Sequence, residues 1–305
     1  SKFPLDVNSG EKILINDGKL ILQVLSSNKK DLVEAKVLQG GALESRKGVN
    51  LPNTIISLPS LTKKDKEDAF FAIKNGFDWI ALSFVRSKKD VSDLKKLITA
   101  VGNSSIPIIA KIEKPEAIHN IDGILKTADG IMVARGDLGL EIPSEEVPLN
   151  QKLLVIKAKK ARKPVIIATQ MMESMLDSLT PSRAEVNDVA NSVMDGADAL
   201  MLSGETSVGK FPVEVVKTME KIINRVESSP LIKIPYELPK IKSKRLLTKT
   251  VCFHACNIAN EISASAICTL TNSGYTAWQI SSWRPNAMIL VFTSNRKILA
   301  QLNLL

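Results

Sequence analysis

The sequence is poor in two residue types on which many catalytic and metal sites depend. Among 305 residues there are only two histidines, His119 and His254. The sequence therefore favours neither a histidine-based metal site nor a serine triad. The cysteines are also few and odd in number. Cys252 and Cys256 lie four residues apart in a helical pattern, and Cys268 lies in an apolar run. This spacing fits neither a zinc site nor a disulfide framework, and it predicts a reduced, cytoplasmic protein.

Long apolar runs and aromatic residues are scarce as well. No stretch approaches about 18 uninterrupted apolar residues, so we expect no transmembrane helix and no membrane partner. The net charge is +9, but Ser229–Lys249 alone contains six basic residues and one acidic residue. That segment also contains three prolines and few aromatic residues, which favours a linker with a solvated basic surface. We therefore expect no nucleic-acid partner.

From Leu61 onward, helical patterns alternate with short apolar runs. Because these runs are apolar without alternation, they predict parallel strands buried on both faces. The predicted strands are Asp78–Val85, Pro107–Glu113, Gly130–Asp137, Pro164–Thr169 and Ala197–Ser203. Polar residues recur near their carboxyl ends, namely Ser83, Lys111, Glu113, Asp137, Thr169 and Ser203. This pattern is typical of the (β/α)₈ TIM barrel in the α/β class, of which five of the eight strands can be counted.

The remaining segments predict further domains. Residues 1–52 have strand patterns around Asp17-Gly18, a hairpin signal, and predict part of a small β domain. The partial barrel then occupies 53–228, a linker 229–245, and part of a carboxyl-terminal α/β domain 246–305. Since eight strands are needed for closure, we expect roughly 80 or more residues before Ser1, and further residues after Leu305.

Two neighbouring stretches contain the residues with the clearest chemical meaning. They are IIAKIEKPEA (Ile108–Ala117) and GIMVARGDLGLEIP (Gly130–Pro143). Lys111 and Glu113 are two residues apart in a strand, so their side chains point the same way. If the strands are parallel neighbours, Asp137 converges with them. Two carboxylates without histidine suit Mg²⁺, and a lysine beside them stabilises charge on a phosphoryl group or an enolate.

The same two stretches resemble the pyruvate kinase family. The resemblance continues through VIIATQMMESM (Val165–Met175), SRAEVNDVAN (Ser182–Asn191) and DGADALMLSGETSVGKFPVE (Asp195–Glu214). Upstream, SRKGVNLP (Ser45–Pro52) and DWIALSFVR (Asp78–Arg86) are similar as well. The similarity covers nearly the whole chain, and several of the strings are long enough to be highly specific.

The resemblance implies glycolytic phosphoryl transfer from phosphoenolpyruvate to ADP, giving pyruvate and ATP. Glu113 and Asp137 would bind Mg²⁺, with Mn²⁺ as an alternative, and Lys111 would neutralise the transferring group. Gly136, Asp137 and Thr169 would hold the substrate, with Thr169 near the point of enolate protonation. Residues 1–52 would belong to a mobile lid inserted in the barrel, in which Lys47 contacts nucleotide phosphate.

The resemblance also implies K⁺, with ligands outside this chain, and a homotetramer. Several alternatives remain open from the residues themselves. Lys111–Glu113 is also explained by a solvated pair, Gly136-Asp137 by an ordinary turn, Thr169 by a helix cap, and Lys47 by a surface lysine. At the level of function, the alternatives are a Mg²⁺-dependent barrel lyase or aldolase acting on an oxo acid, and a catalytically inactive assembly subunit.

Overall fold

The amino-terminal part of the chain is a small antiparallel sheet. The computed structural model describes residues 2–16, 18–43, 45, 47–52, 54, 60–101, 106–229 and 244–305. A short helix, α1 (Phe3–Asp6), precedes the strands β1 (Lys12–Ile15), β2 (Leu20–Ser27), β3 (Val33–Gln39) and β4 (Val49–Asn50). The strand order is β3-β2-β1-β4, and β1 and β2 are antiparallel, as the hairpin signal predicts. Asp17 itself lies outside the described residues.

The apolar residues of this sheet form a core of their own. Val7, Ile13, Val24 and Leu51 are all buried together. The sheet approaches the barrel at one side, where the Asn50 side-chain amide donates to Glu141 Oε1 at 3.4 Å. The small β domain therefore lies next to the predicted functional edge of the barrel.

The middle of the chain is built on parallel strands, as predicted. The strands are β5 (Ile80–Leu82), β6 (Ile108–Ile112), β7 (Gly130–Ala134), β8 (Val165–Ala168) and β9 (Ala199–Met201). They pair in chain order, and every pair is parallel. Strands β6 and β7 are almost completely buried because helices cover the sheet, which explains their continuous apolar sequence.

Helices connect these strands. They are α2 (Lys63–Lys74), α3 (Lys88–Ala100), α4 (Pro115–His119), α5 (Ile121–Thr127), α6 (Arg135–Glu141), α7 (Val147–Ala161), α8 (Arg183–Asp195), α9 (Gly204–Ser207) and α10 (Pro212–Glu227), with 3₁₀ turns at Ser144–Glu146 and Glu173–Leu176. Reciprocal capping explains where several begin. At α2, the Thr62 amide donates to Asp65, and the Asp65 amide donates back to the Thr62 hydroxyl.

Two predicted elements near the site differ from the structure in a way that matters for it. The sequence pattern of residues 115–127 favours one helix, but the structure divides it into α4 and α5 at Asn120, whose side chain donates to the Arg86 carbonyl at 3.0 Å. The strand predicted over Gly130–Asp137 ends at Ala134, where its partner β8 also ends, since Ala134 pairs with Ala168. Helix α6 starts at the next residue, so Gly136 and Asp137 lie in its first turn.

The carboxyl-terminal part repeats the strand and helix alternation. It contains α11 (Leu246–Glu261), β10 (Ala266–Leu270), α12 (Tyr275–Ser282), β11 (Met288–Phe292) and α13 (Arg296–Leu302), and its two strands are parallel. It contacts the barrel through Trp79, whose indole N–H donates to the Gln301 carbonyl at 3.3 Å. The predicted α/β domain is therefore present in this region.

The domain bounds 1–52, 53–228, 229–245 and 246–305 stay predictions. Of the predicted linker, residues 230–243 lie outside the described residues. In the part of the chain that the structure describes, none of the helices combines the length and the apolar character needed to cross a bilayer.

Candidate active site

Lys111 and Glu113 lie together at the carboxyl end of β6. The Lys111 ammonium is 2.6 Å from Glu113 Oε1, and it donates to the Ser83 hydroxyl at 3.2 Å. Lys111 lies near the end of β6, and Glu113 is the first residue after the strand. Because side chains in a strand alternate with a period of two residues, both side chains point to the same side. The Lys111 side chain is one-quarter exposed, so its charge also faces the space beyond the sheet.

The Glu113 carboxylate is completely buried. One oxygen, Oε2, accepts the Phe84 amide at 2.6 Å. The other, Oε1, has the Lys111 ion pair, but no donor among the described residues makes a hydrogen bond of good geometry to it. A buried charge is costly unless it is paired and its lone pairs are used. An oxygen with unused lone pairs in this position fits a ligand to a hard cation.

Asp137 belongs to the next strand–helix connection. The register pairs Ile112 with Val133, which places Glu113 beside Ala134, three residues before Asp137. Asp137 lies in the first turn of α6, where the amino-terminal end of the helix favours a negative charge. Among the described residues, no group of three or more histidine, cysteine, aspartate or glutamate side chains could hold a metal. Mg²⁺ needs fewer, because it completes its shell with water and substrate oxygens.

Asp137 also lines a cavity of about 1120 Å³ between the small β domain, α2 and the carboxyl edge of the sheet. Gly48, Asn50, Ser83, Lys114 and Glu141 contribute to the same wall. Lys47 is exposed and directly precedes Gly48, so it lies next to the cavity.

Thr169 and Gly136 contact each other directly. The Gly136 amide donates to the Thr169 hydroxyl at 2.7 Å. A Cβ at position 136 would lie 3.2 Å from the Thr169 hydroxyl oxygen, which is tighter than most contacts, so glycine allows this approach without displacing Thr169. The Thr169 hydroxyl does not cap the helix that follows it in the chain; it accepts an amide from the first turn of α6 instead. The group that approaches the Gly136 backbone closely is therefore a protein side chain.

The backbone at Thr169 is strained. Its φ is 72°, and that of Gln170 is 53°, a left-handed region that β-branched residues rarely adopt. Such conformations cluster at functional sites because the surrounding structure must enforce them. The sequence pattern of β8 shows where Thr169 lies, but it does not show this turn.

Sequence reasoning missed several residues that support the site. Lys114, next to Glu113, forms a buried ion pair with Glu141 at 2.5 Å. Glu205 is buried and accepts the amides of Ser203 at 2.7 Å and Met172 at 3.2 Å. Arg135 also forms an ion pair, with Asp188. The sequence offers one signal for Lys114 and Arg135: each is a charged residue next to a predicted site residue, Glu113 and Gly136 respectively.

Comparisons with known proteins agree with the fold. A family model described as pyruvate kinase, barrel domain, matches residues 1–216, and one described as pyruvate kinase, alpha/beta domain, matches residues 249–305. The chain is 45% identical over 301 residues to pyruvate kinase 2 of Synechocystis sp., covering 98% of this chain and 50% of that protein.

Two further relatives show the same likeness. The pyruvate kinase of Geobacillus stearothermophilus is 45% identical over 300 residues, covering 98% of this chain and 51% of that protein. The pyruvate kinase of Corynebacterium glutamicum is 43% identical over 299 residues, covering 98% and 62%. The chain thus spans about half to three-fifths of the length of these relatives. With both family models matched and this identity over nearly all its residues, the chain belongs to the pyruvate kinase family.

Proposed function

We propose that the protein transfers the phosphoryl group of phosphoenolpyruvate to ADP, giving pyruvate and ATP. The observation that carries the proposal is the buried Glu113 carboxylate paired with Lys111 at the carboxyl edge of a parallel sheet. Active sites of this architecture lie at that edge. The similarity to pyruvate kinases of known name supports the same reaction.

In this proposal, Glu113 and Asp137 hold one Mg²⁺, for which Mn²⁺ could substitute. The fit rests on the donor set: two carboxylates, of which Glu113 has an oxygen with unused lone pairs. When bound, the ion neutralises charge on phosphoryl and enolate oxygens. K⁺ is part of the proposal as a second, monovalent cofactor.

Lys111 neutralises the phosphoryl oxygens while the group moves from phosphoenolpyruvate to ADP. Its ammonium is already fixed by Glu113 and Ser83, so it needs little reorganisation during the reaction. The P–O bond to the enol oxygen breaks as the bond to the ADP oxygen forms, and the electron pair stays on the enolate. Positioning and electrostatics supply most of the catalysis in such transfers.

Thr169 then serves the second half of the reaction, in which a proton is added to the enolate carbon to give pyruvate. Its hydroxyl accepts the Gly136 amide, which leaves the hydroxyl proton to be donated to a substrate carboxylate oxygen. The α6 turn at Gly136 and Asp137 forms the other side of this substrate pocket. Because the Gly136 amide is bonded to Thr169, the carboxylate would contact the hydroxyl rather than that amide.

In this proposal Lys47 contacts the nucleotide phosphate, and the small β domain closes over the nucleotide. The Asn50–Glu141 contact connects that domain to α6, on which Asp137 lies. We further infer a cytoplasmic homotetramer. The lyase or aldolase alternative is less well supported because it does not need ADP, whereas residues 1–216 match the barrel-domain model of a kinase family.

The test is to follow pyruvate and ATP in the purified protein with phosphoenolpyruvate, Mg²⁺ and K⁺, with and without ADP. The proposal predicts equal amounts of both products, and turnover only when ADP is present. Cleavage of an oxo acid without ADP would support the lyase. If neither reaction occurs in a folded sample, the inactive-subunit alternative stands.

A further inference from the structure

The loop that follows β8 is held in an unfavourable conformation. Thr169 and Gln170 both have positive φ, at 72° and 53°, although neither is glycine. Two consecutive left-handed residues, one of them β-branched, do not persist without contacts that enforce them. The question is therefore which side chains hold this loop.

Arg135 holds it from one side. Its guanidinium donates to the Thr169 carbonyl at 2.7 Å and to the Gln170 carbonyl at 3.3 Å. The same group donates to Asp188 Oδ1 at 2.7 Å, and the Arg135 side chain is only about one-tenth exposed. The planar fork of arginine can serve these acceptors together, whereas a lysine ammonium is a point charge.

Arg135 and its neighbour Gly136 both contact Thr169. Gly136, the next residue, donates its amide to the Thr169 hydroxyl at 2.7 Å. The Arg135-Gly136 dipeptide therefore binds Thr169 at both its carbonyl and its hydroxyl. A shift of either residue moves the Thr169 hydroxyl relative to α6, where Asp137 lies.

We propose that Arg135 is a positioning residue that keeps Thr169 in its left-handed conformation and so aims the Thr169 hydroxyl at the substrate. Only one part of this proposal rests on the proposed function, namely that the Thr169 hydroxyl contacts the substrate. The mechanical part, that Arg135 sets the Gly136–Thr169 hydrogen bond, does not depend on any substrate.

The competing explanation is that Arg135 only stabilises the fold through its ion pair with Asp188. Two variants separate the explanations. Arg135→Lys retains a cation near Asp188 but loses the simultaneous contacts to both carbonyls. Asp188→Asn removes the charge partner and leaves the two carbonyl contacts in place, so it is the matched control.

The first readout is hydrogen exchange at the Gly136 amide, which needs no activity. We expect exchange at least about tenfold faster in Arg135→Lys, and within about threefold of wild type in Asp188→Asn. Exchange in β7 should be unchanged in both variants, which checks folding. Wild-type protection of Gly136 in Arg135→Lys would overturn the proposal.

The second readout is kinetic. We expect kcat for phosphoenolpyruvate to fall roughly 10–100-fold in Arg135→Lys, with KM for ADP within about twofold, and little loss in Asp188→Asn. In a Thr169→Val background the Arg135→Lys loss should shrink to less than about threefold, because the two residues act through one group. An equal loss in both backgrounds would overturn the proposal. Inactive wild-type protein with the predicted exchange pattern would refute the proposed function and leave the positioning role standing.

Discussion

The contact between Gly136 and Thr169 can be perturbed with a single methyl group. In Gly136→Ala, the new Cβ lies 3.2 Å from the Thr169 hydroxyl oxygen and 3.5 Å from its Cβ. The first distance is shorter than an ordinary van der Waals contact of about 3.5–4.0 Å. The Thr169 side chain must retreat by a few tenths of an ångström, and the 2.7 Å hydrogen bond from the Gly136 amide lengthens.

The effects on stability and on activity differ in size. Weakening one hydrogen bond costs about 0.5–1.5 kcal/mol. Replacing glycine by alanine in a helical turn gains about 0.4–1 kcal/mol, because the unfolded chain loses freedom. The free energy of unfolding should therefore change by less than about 1 kcal/mol. A displaced hydroxyl, in contrast, should cost roughly 10–100-fold in turnover, or about 1.4–2.7 kcal/mol of transition-state stabilisation.

The assay compares thermal unfolding with ADP-dependent pyruvate formation in this variant and in Gly139→Ala. Gly139 lies in the same helix, but a Cβ there would meet only Val147 Cγ2 at an ordinary 3.6 Å. The control should retain wild-type turnover and unfold at the same or a slightly higher temperature. Wild-type turnover in Gly136→Ala would refute the idea that the Thr169 hydroxyl must lie where the structure has it.

Two further substitutions test the metal ligands and the electrostatics between the barrel and the carboxyl-terminal region. Asp137→Asn should raise the Mg²⁺ concentration for half-maximal activity by roughly tenfold or more, and an unchanged Mg²⁺ dependence would remove Asp137 from the site. Burial, followed by repulsion from Arg284, lowers the pKa of Lys159 from 10.5 to about 8. Between those two pKa values Lys159 is protonated in the unfolded chain and neutral in the folded protein, so the free energy of unfolding rises with pH. The destabilisation caused by the buried charge is therefore fully present below about pH 8 and is lost as the pH rises towards 10.5. Lys159→Met should thus raise the free energy of unfolding by about 1–3 kcal/mol at pH 7, and denaturant unfolding should show that gain disappearing by about pH 10.5.

The parallel strands and the Lys111–Glu113 pair could be predicted because both follow from local periodicity. An apolar run without alternation indicates a buried parallel strand, and a two-residue spacing puts two side chains on one side. Apart from the start of β7 at Gly130, which was predicted correctly, the strand ends were placed one to three residues too far out, because polar residues that continue an apolar run also suit the start of a loop or helix.

The features that sequence reasoning missed depend on contacts between separate elements. The left-handed turn at Thr169 is hydrogen-bonded by Arg135, which comes from a different strand–helix connection. The Lys114–Glu141 ion pair likewise joins the end of β6 to α6. Neither spacing along the chain nor residue type shows such a contact, since it arises only when the strands are arranged side by side.

The most direct test of the central claim is the Lys111→Met variant, assayed for two reactions. If Lys111 neutralises the transferring phosphoryl group, ATP formation from phosphoenolpyruvate and ADP should fall by at least about 10³-fold. Proton exchange at the methyl group of pyruvate should survive better, because it needs no phosphoryl transfer, and its survival shows that the site is still folded. ATP formation close to the wild-type rate in Lys111→Met would contradict the proposed mechanism.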